Sequence, residues 1–255
     1  MKVFLCLITP FIGTTLGASL VLFTKQKLND KWQKILLGFA AGVMVAASFF
    51  SLLLPSIELS KEPKFIPAAV GFAIGMFFLL ILDSLIPHIH SFSDEDEGIK
   101  SKWSKTTKTI LALVLHNIPE GISSGIVIAG YLNDNIGMTL GGALSLAIGI
   151  ALQNLPEGAI VSLPLNNEGH SKGKSFLYGM LSGLVEPIFA LITIFLSSIL
   201  LSALPYLLSF AAGAMMYVVV EELIPESQNG HHSNKATISF AIGFITMIIT
   251  SVIFG

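Results

Sequence analysis

His116-Asn117-Ile118-Pro119-Glu120-Gly121 and Gln153-Asn154-Leu155-Pro156-Glu157-Gly158 are near-identical hexapeptides offset by 37 residues, each inside a long apolar stretch. Ionisable residues at membrane depth are costly, and they mark substrate paths or proton relays. Two carboxylates, one imidazole and three carboxamides exceed what a packed helix interface needs. The pair reads as a cation site made by two facing helices.

Composition sets the membrane context. Hydrophobic residues make up 53% of the 255 and charged residues 12%, whereas a soluble domain carries about twice that charged fraction. Eight apolar spans follow, at 3–23, 35–55, 65–87, 108–130, 136–163, 174–200, 204–225 and 236–254. Each is near or above the ~20 residues a tilted helix needs to cross a bilayer. The expected fold is an all-α membrane protein with eight transmembrane helices, one domain over 1–255, with a flexible cytoplasmic loop at 91–107. Residues 3–23 follow Lys2 as a secretory signal would, but the run is too long for a signal core and is broken by Pro10 and Gly13. They read as a retained first helix. The single cysteine, Cys6, permits neither a disulfide framework nor a cysteine metal site.

Orientation rests on lysine, because the chain has no arginine. The odd-numbered connections hold eleven lysines (25, 27, 31, 34, 100, 102, 105, 108, 172, 174 and 235), against three elsewhere (2, 61 and 64). The positive-inside rule puts the odd connections in the cytoplasm and both termini outside. His88 and His90 then close the third span at the cytoplasmic face, beside Asp94-Glu95-Asp96-Glu97, while His231 and His232 lie in the seventh connection. This tract reads either as a loose metal-collecting surface of imidazoles and carboxylates or as a solvated charge run. Asp83 in span three and Glu222 at the end of span seven read as path residues, with His88 and His90, or as solvated helix ends.

On a helix His116 and Glu120, four apart, face one side, with Asn117 one position round. Gln153, Asn154 and Glu157 repeat the arrangement. The proline in each motif lacks an N–H and clashes with the carbonyl four residues earlier, which frees the oxygens of Leu115 and Leu152. Freed carbonyls at membrane depth belong where they line a polar cavity. Glu186-Pro187 in span six is a third such break. Three mid-membrane carboxylates without basic partners call for cations or protons, and binding of metal would release protons. One imidazole with carboxylates and carboxamides suits Zn²⁺, Fe²⁺ or Mn²⁺. Met44 in span two reads as packing, or as a soft thioether ligand where it faces the site.

Weak internal symmetry accompanies these motifs. Ala41-Gly42-Val43-Met44 with Leu54-Pro55 resembles Ala212-Gly213-Ala214-Met215 with Ile224-Pro225. The hexapeptides, on antiparallel neighbours, would be related by inversion, and inverted repeats around a mid-membrane site are a transporter signature.

The paired patterns His-Asn-x-Pro-Glu-Gly and Gln-Asn-x-Pro-Glu-Gly, with eight spans, resemble the Zrt/Irt-like (ZIP) metal transporters over nearly the whole chain, most closely their GufA-like branch. The resemblance implies a 3+2+3 inverted-repeat bundle and a binuclear metal site. It assigns one metal to Met44, His116, Glu120, Gln153 and Glu157, and a second to Asn117, Glu120, Asn154, Glu157 and Glu186, with both motif glutamates bridging. Asn154 stands where some relatives have aspartate and Gln153 where many animal and plant relatives have histidine, so strict zinc selectivity is not implied. The expected function is transport of divalent transition metal (zinc, with iron, manganese or cadmium as further cargo) into the cytoplasm. The rival reading is a membrane-embedded metal-dependent hydrolase. Such enzymes carry several histidines and a His-Glu-x-x-His helix, whereas His116 is the one histidine within a span. The chain is therefore read as a transporter and not an enzyme. Expected partners are divalent metal ions, membrane lipid and a second copy as a homodimer, with no nucleic acid. Absence of arginine suggests an AT-rich genome and a bacterial inner (plasma) membrane.

Overall fold

A segment inside a bilayer must satisfy its own backbone polar groups, and a helix does so within itself. The computed structural model describes residues 1–24, 29–89, 97–134, 137–200, 203–229 and 234–254. Among these, eight helices are long and apolar enough to cross a membrane: α1 (Lys2–Phe23), α2 (Lys31–Leu59), α3 (Phe65–Leu85), α4 (Lys105–Leu132), α5 (Leu140–Asn167), α6 (Lys172–Phe195), α7 (Leu204–Gln228) and α8 (Asn234–Phe254). The chain is an all-helical, multi-pass membrane protein.

Side-chain caps mark the starts of α2, α4, α5 and α6. Asn29 Oδ1 accepts from Lys31 N (2.7 Å), Ser104 Oγ from Thr107 N (3.2 Å), Thr139 Oγ1 from Gly142 N (2.8 Å) and Ser171 Oγ from Lys174 N (3.4 Å). Each cap satisfies an N–H that the first helical turn leaves without a partner. The fifth helix accordingly begins at Leu140, after the Thr139 cap, and not at 136. The third ends at Leu85, two residues short of its apolar run.

The two motif helices, α4 and α5, are the most enclosed, while α3 and α8 are among the least. Contacts come in matched pairs. α1 lies along α5 and α6 along α4; α8 lies along α2 and α3 along α7; α2 then packs on α5 and α7 on α4. Glycines permit the close approaches. Gly42 sits against the carbonyl of Phe240 and Gly243 against that of Phe39, while Gly213 meets Phe72 and Gly75 meets Phe210 in the same way. Small residues that let backbones touch are the usual device for helix association in lipid, where hydrophobic driving force is absent.

Proline shapes three helices. α2 widens to a π-helical stretch at Ser48–Leu53 just before Pro55, and α7 does so at Val219–Leu223 just before Pro225. The missing proline N–H and its steric clash with the preceding turn are accommodated by the wider turn. In α6 the α-helix is interrupted at Leu184, between Lys172–Gly183 and Val185–Phe195, which puts Glu186 in the first turn of the second half.

The largest apolar cluster takes Ile126, Val127 and Ile128 of α4, which follow Glu120, and Leu146, Ala147 and Ile150 of α5, which precede Gln153. Since α4 and α5 run antiparallel, both sets lie on one side of the motifs, with Met44 and Met215 packed among them. That side of the motifs is therefore rich in buried apolar side chains.

A packing prediction arises here. A Cβ at Gly158 would collide with the backbone of Thr14 and Ala18, whereas one at Gly173 meets nothing within 4 Å. Gly158→Leu should unseat α1 from α5, an overpacking cost of about 1–3 kcal/mol or more. Size-exclusion chromatography in detergent should show loss of monodisperse protein, while Gly173→Ala behaves as wild type.

Candidate metal centre

The proline-containing motifs are carried through α4 and α5 without a break, so both hexapeptides present their polar residues on continuous helical faces. Across the interface Gln153 Nε2 donates to Glu120 Oε1 at 2.5 Å. Glu120 is an electrostatic neighbour of Glu157 and Glu186, and its carboxylate also faces the Asn154 amide. Glu157 and Glu186 act on each other as well, and Glu157 further feels Glu222. Glu157 is therefore within range of Glu120, Glu186 and Glu222.

These groups are deeply buried: Asn117, Gln153 and Asn154 are 0% exposed, Glu120 1%, Glu186 2% and Glu157 6%. None of Glu120, Glu157 and Glu186 pairs with a lysine among the described residues. Six acceptor atoms have no hydrogen-bond donor there: Asn117 Oδ1, Glu120 Oε2, Gln153 Oε1, Asn154 Oδ1, Glu157 Oε2 and Glu186 Oε2. Buried polar atoms ordinarily find partners, and each one that does not calls for an explanation. Here every orphan is an oxygen, and all six belong to the residues of the two hexapeptides and Glu186. Carboxylate and carboxamide oxygens with a nitrogen at their edge are donors of the kind a divalent cation takes.

The nitrogen is His116, whose Nε2 lies 2.6 Å from Glu222 Oε2. Glu222 stands in the π-helical turn of α7, which directs it towards α4. In sequence Glu222 read as a path residue near the membrane interface; in the fold it joins the centre through His116. The asparagines anchor their motifs to the flanking helices, Asn117 Nδ2 donating to Ser182 O at 3.0 Å and Asn154 Nδ2 to Pro10 O at 3.4 Å. Thr14 of α1, which the sequence reading passed over, donates to Glu186 Oε1 at 3.3 Å. Its signal was the run Gly13-Thr14-Thr15-Leu16-Gly17, a small-residue stripe with a hydroxyl on a helix that must pack closely.

Met44 is fully buried in the apolar cluster with Ala40, Ala47, Ile150 and Met215. The bland and sharp readings of it differ in a measurable way. Met44→Leu is nearly volume-conserving and should cost less than about 1.5 kcal/mol in stability. If the thioether contacts the ion, uptake should fall in the order Cd²⁺, then Zn²⁺, then Mn²⁺, because sulfur favours soft metals. That graded loss is the expected result. Equal uptake of all three ions by variant and wild type would return Met44 to packing alone.

A second group of ligand-type residues lies at the end of α3. His88 Nε2 is 3.1 Å from Asp83 Oδ1 and 3.7 Å from Glu97 Oε2, and His88 is 0% exposed. Tyr217 of α7 donates to Asp83 Oδ2 at 3.1 Å, and His88 and Glu97 exchange backbone hydrogen bonds of 3.0 and 3.2 Å. Of the stretch 91–107, Glu97 thus folds back onto α3. His90, Asp94–Asp96, His231 and His232 lie outside the described residues. His170 instead ties helix ends together, through Thr106 Oγ1 at 3.0 Å and an edge-on contact with Tyr178.

Fold and site together define a class: a multi-pass helical membrane protein with carboxylates and carboxamides buried between its two central helices. Known proteins narrow it. The ZIP Zinc transporter family model matches residues 1–109 and 107–251. The chain is 34% identical to "Zinc transporter GufA" of Myxococcus xanthus, over 95% of each sequence. It is 36% identical to "Zinc transporter ZIPB" of Bordetella bronchiseptica, covering 96% of this chain and 79% of that one. Against "Zinc transporter ZIP11" of Homo sapiens the identity is 31%, over 86% and 87%. The chain belongs to the ZIP zinc transporter family, in its GufA-like branch.

Proposed function

We propose that the chain moves divalent transition-metal ions, zinc first among them, into the cytoplasm through a binuclear site at mid-membrane. The observation that carries this reading is the set of six donor-less oxygens on the hexapeptides and Glu186. An unneutralised buried carboxylate costs several kcal/mol, and three of them lie together here without a lysine. Divalent ions remove that cost and use the orphan oxygens as ligands. His116, Glu120, Gln153 and Glu157, with Met44, would hold one ion. Asn117, Glu120, Asn154, Glu157 and Glu186 would hold the other.

The inward direction is taken from the likeness to the ZIP family, and the lysine bias supplies the orientation on which it is drawn, with both termini outside. On that orientation the apolar cluster containing Ile126, Ile128, Leu146 and Ile150 faces outward. His116–Glu222 and then Asp83–His88 would form the way to the cytoplasm. The matched contacts of α1–α3 and α6–α8, and the paired π turns before Pro55 and Pro225, support reading the bundle as two inverted halves around α4 and α5. Two such halves, rocking against the central pair, would expose the site to one side at a time.

The test is uptake into metal-free vesicles holding the purified protein, with Zn²⁺, Fe²⁺, Mn²⁺ and Cd²⁺ compared. Saturable accumulation of Zn²⁺ above empty vesicles is the expected outcome. No accumulation of any of the four ions, by protein shown to be folded, would refute the proposal.

A further inference from the structure

Each motif asparagine reaches a flanking helix in the same manner, Asn117 to the carbonyl of Ser182 on α6 and Asn154 to that of Pro10 on α1. Four residues beyond these acceptors stand Glu186 and Thr14 respectively. The backbone carbonyls of these two residues face the two motif glycines: Glu186 O lies against Gly121 and Thr14 O against Gly158, with no room for a Cβ at either. α1 therefore docks on the second hexapeptide through Thr14 as α6 docks on the first through Glu186. Thr14 and Glu186 occupy equivalent places, and they meet. Thr14 Oγ1 donates to Glu186 Oε1 at 3.3 Å, and the two residues are 1% and 2% exposed. A Cβ at Gly183 would fall on the Thr14 Cβ, methyl and hydroxyl, so glycine there is what lets α6 come close to the Thr14 side chain.

We infer that Thr14 is a positioning residue for the second metal ion: its hydroxyl holds one oxygen of Glu186 so that Oε2, which has no donor, is left to the ion. The inference rests on the binuclear reading above. Groups that orient a metal-ligating carboxylate typically account for about 10–100-fold in affinity. The equivalence also explains why the arrangement is lopsided. A carboxylate at both positions would add a further charge to three that already repel, whereas threonine supplies a donor in its place.

The experiment uses the full-length protein in detergent, with Zn²⁺ alone titrated against a chelator to resolve stoichiometry and affinity. Thr14→Val keeps shape and removes the donor; Thr14→Ser keeps the donor; Glu186→Gln and the Thr14→Val/Glu186→Gln double variant complete the set. Wild type should take two ions. Thr14→Val should weaken one of the two by about tenfold or more and leave the other unmoved. Thr14→Ser should restore it, and the double variant should bind no worse than Glu186→Gln. The inference is overturned if Thr14→Val binds both ions as wild type does while Glu186→Gln loses one. It is equally overturned if Thr14→Ser is as impaired as Thr14→Val, or if the losses add in the double variant. A wild type that takes one ion, or a Glu186→Gln variant that keeps both at full affinity, would bring down the binuclear reading and this inference with it.

Discussion

Glu157→Ala and Glu120→Ala should each reduce metal uptake to that of empty vesicles while the protein still inserts. Each glutamate is read as a ligand to both ions, and Glu157 is within electrostatic range of Glu120, Glu186 and Glu222. The two variants should nevertheless differ in metal-free stability. Glu157 makes no hydrogen bond among the described residues, so its removal relieves repulsion against the cost of the cavity it leaves, and the metal-free protein should lose less stability than Glu120→Ala does. Glu120 accepts from Gln153 Nε2. Its removal orphans a buried donor, at a cost of about 1–3 kcal/mol. In wild type, ligand at a hundred times its Kd adds about 2.7 kcal/mol of stability, and this zinc-dependent rise in Tm should vanish in both variants. Normal uptake by both would show that the binuclear site as drawn is wrong.

His116→Ala should also abolish uptake, because it removes the only imidazole of the centre. Part of the effect will be structural. Deleting one partner of a buried hydrogen-bonded pair leaves the other unsatisfied at about 1–3 kcal/mol, and the His116 and Glu222 side chains are only 9% and 12% exposed. His116→Ala/Glu222→Gln separates the contributions: the double variant should regain stability in thermal melts yet still fail to transport. Glu186→Gln keeps an acceptor for Thr14 and affects the second ion alone, so uptake should slow without stopping. Finding Glu186→Gln inactive and His116→Ala active would exchange the roles of the two metal positions.

Much of the architecture was legible because its causes are local. Twenty or so apolar residues must form a helix in lipid whatever surrounds them, and a proline beside a glutamate at mid-span is costly wherever that helix is placed. The hexapeptides therefore announced both their depth and their chemistry. Boundaries were less legible, since Thr139 and Ser104 stop or start a helix through one hydroxyl that hydropathy does not weigh. The tract around His88 read either as a metal-collecting surface or as a solvated charge run; in the fold His88 is enclosed by Asp83, Glu97 and the backbone of Ile86, because Glu97 returns to pair with it.

The sequence by itself determined the number and kind of helices, the two motifs at the centre and the family to which the chain belongs. All of these depend on residues within a few turns of one another. Which side chains complete the centre was decided by tertiary structure alone. Glu222 meets His116, and Thr14 meets Glu186 across 172 residues. The physical reason is that hydrogen bonds and ion pairs act over a few ångströms, while the approach that creates them depends on glycines letting one helix settle against another. A threonine on a lipid-facing first helix looks the same in sequence whether it faces hydrocarbon or a carboxylate; only the seat of α1 on Gly158 makes it the latter.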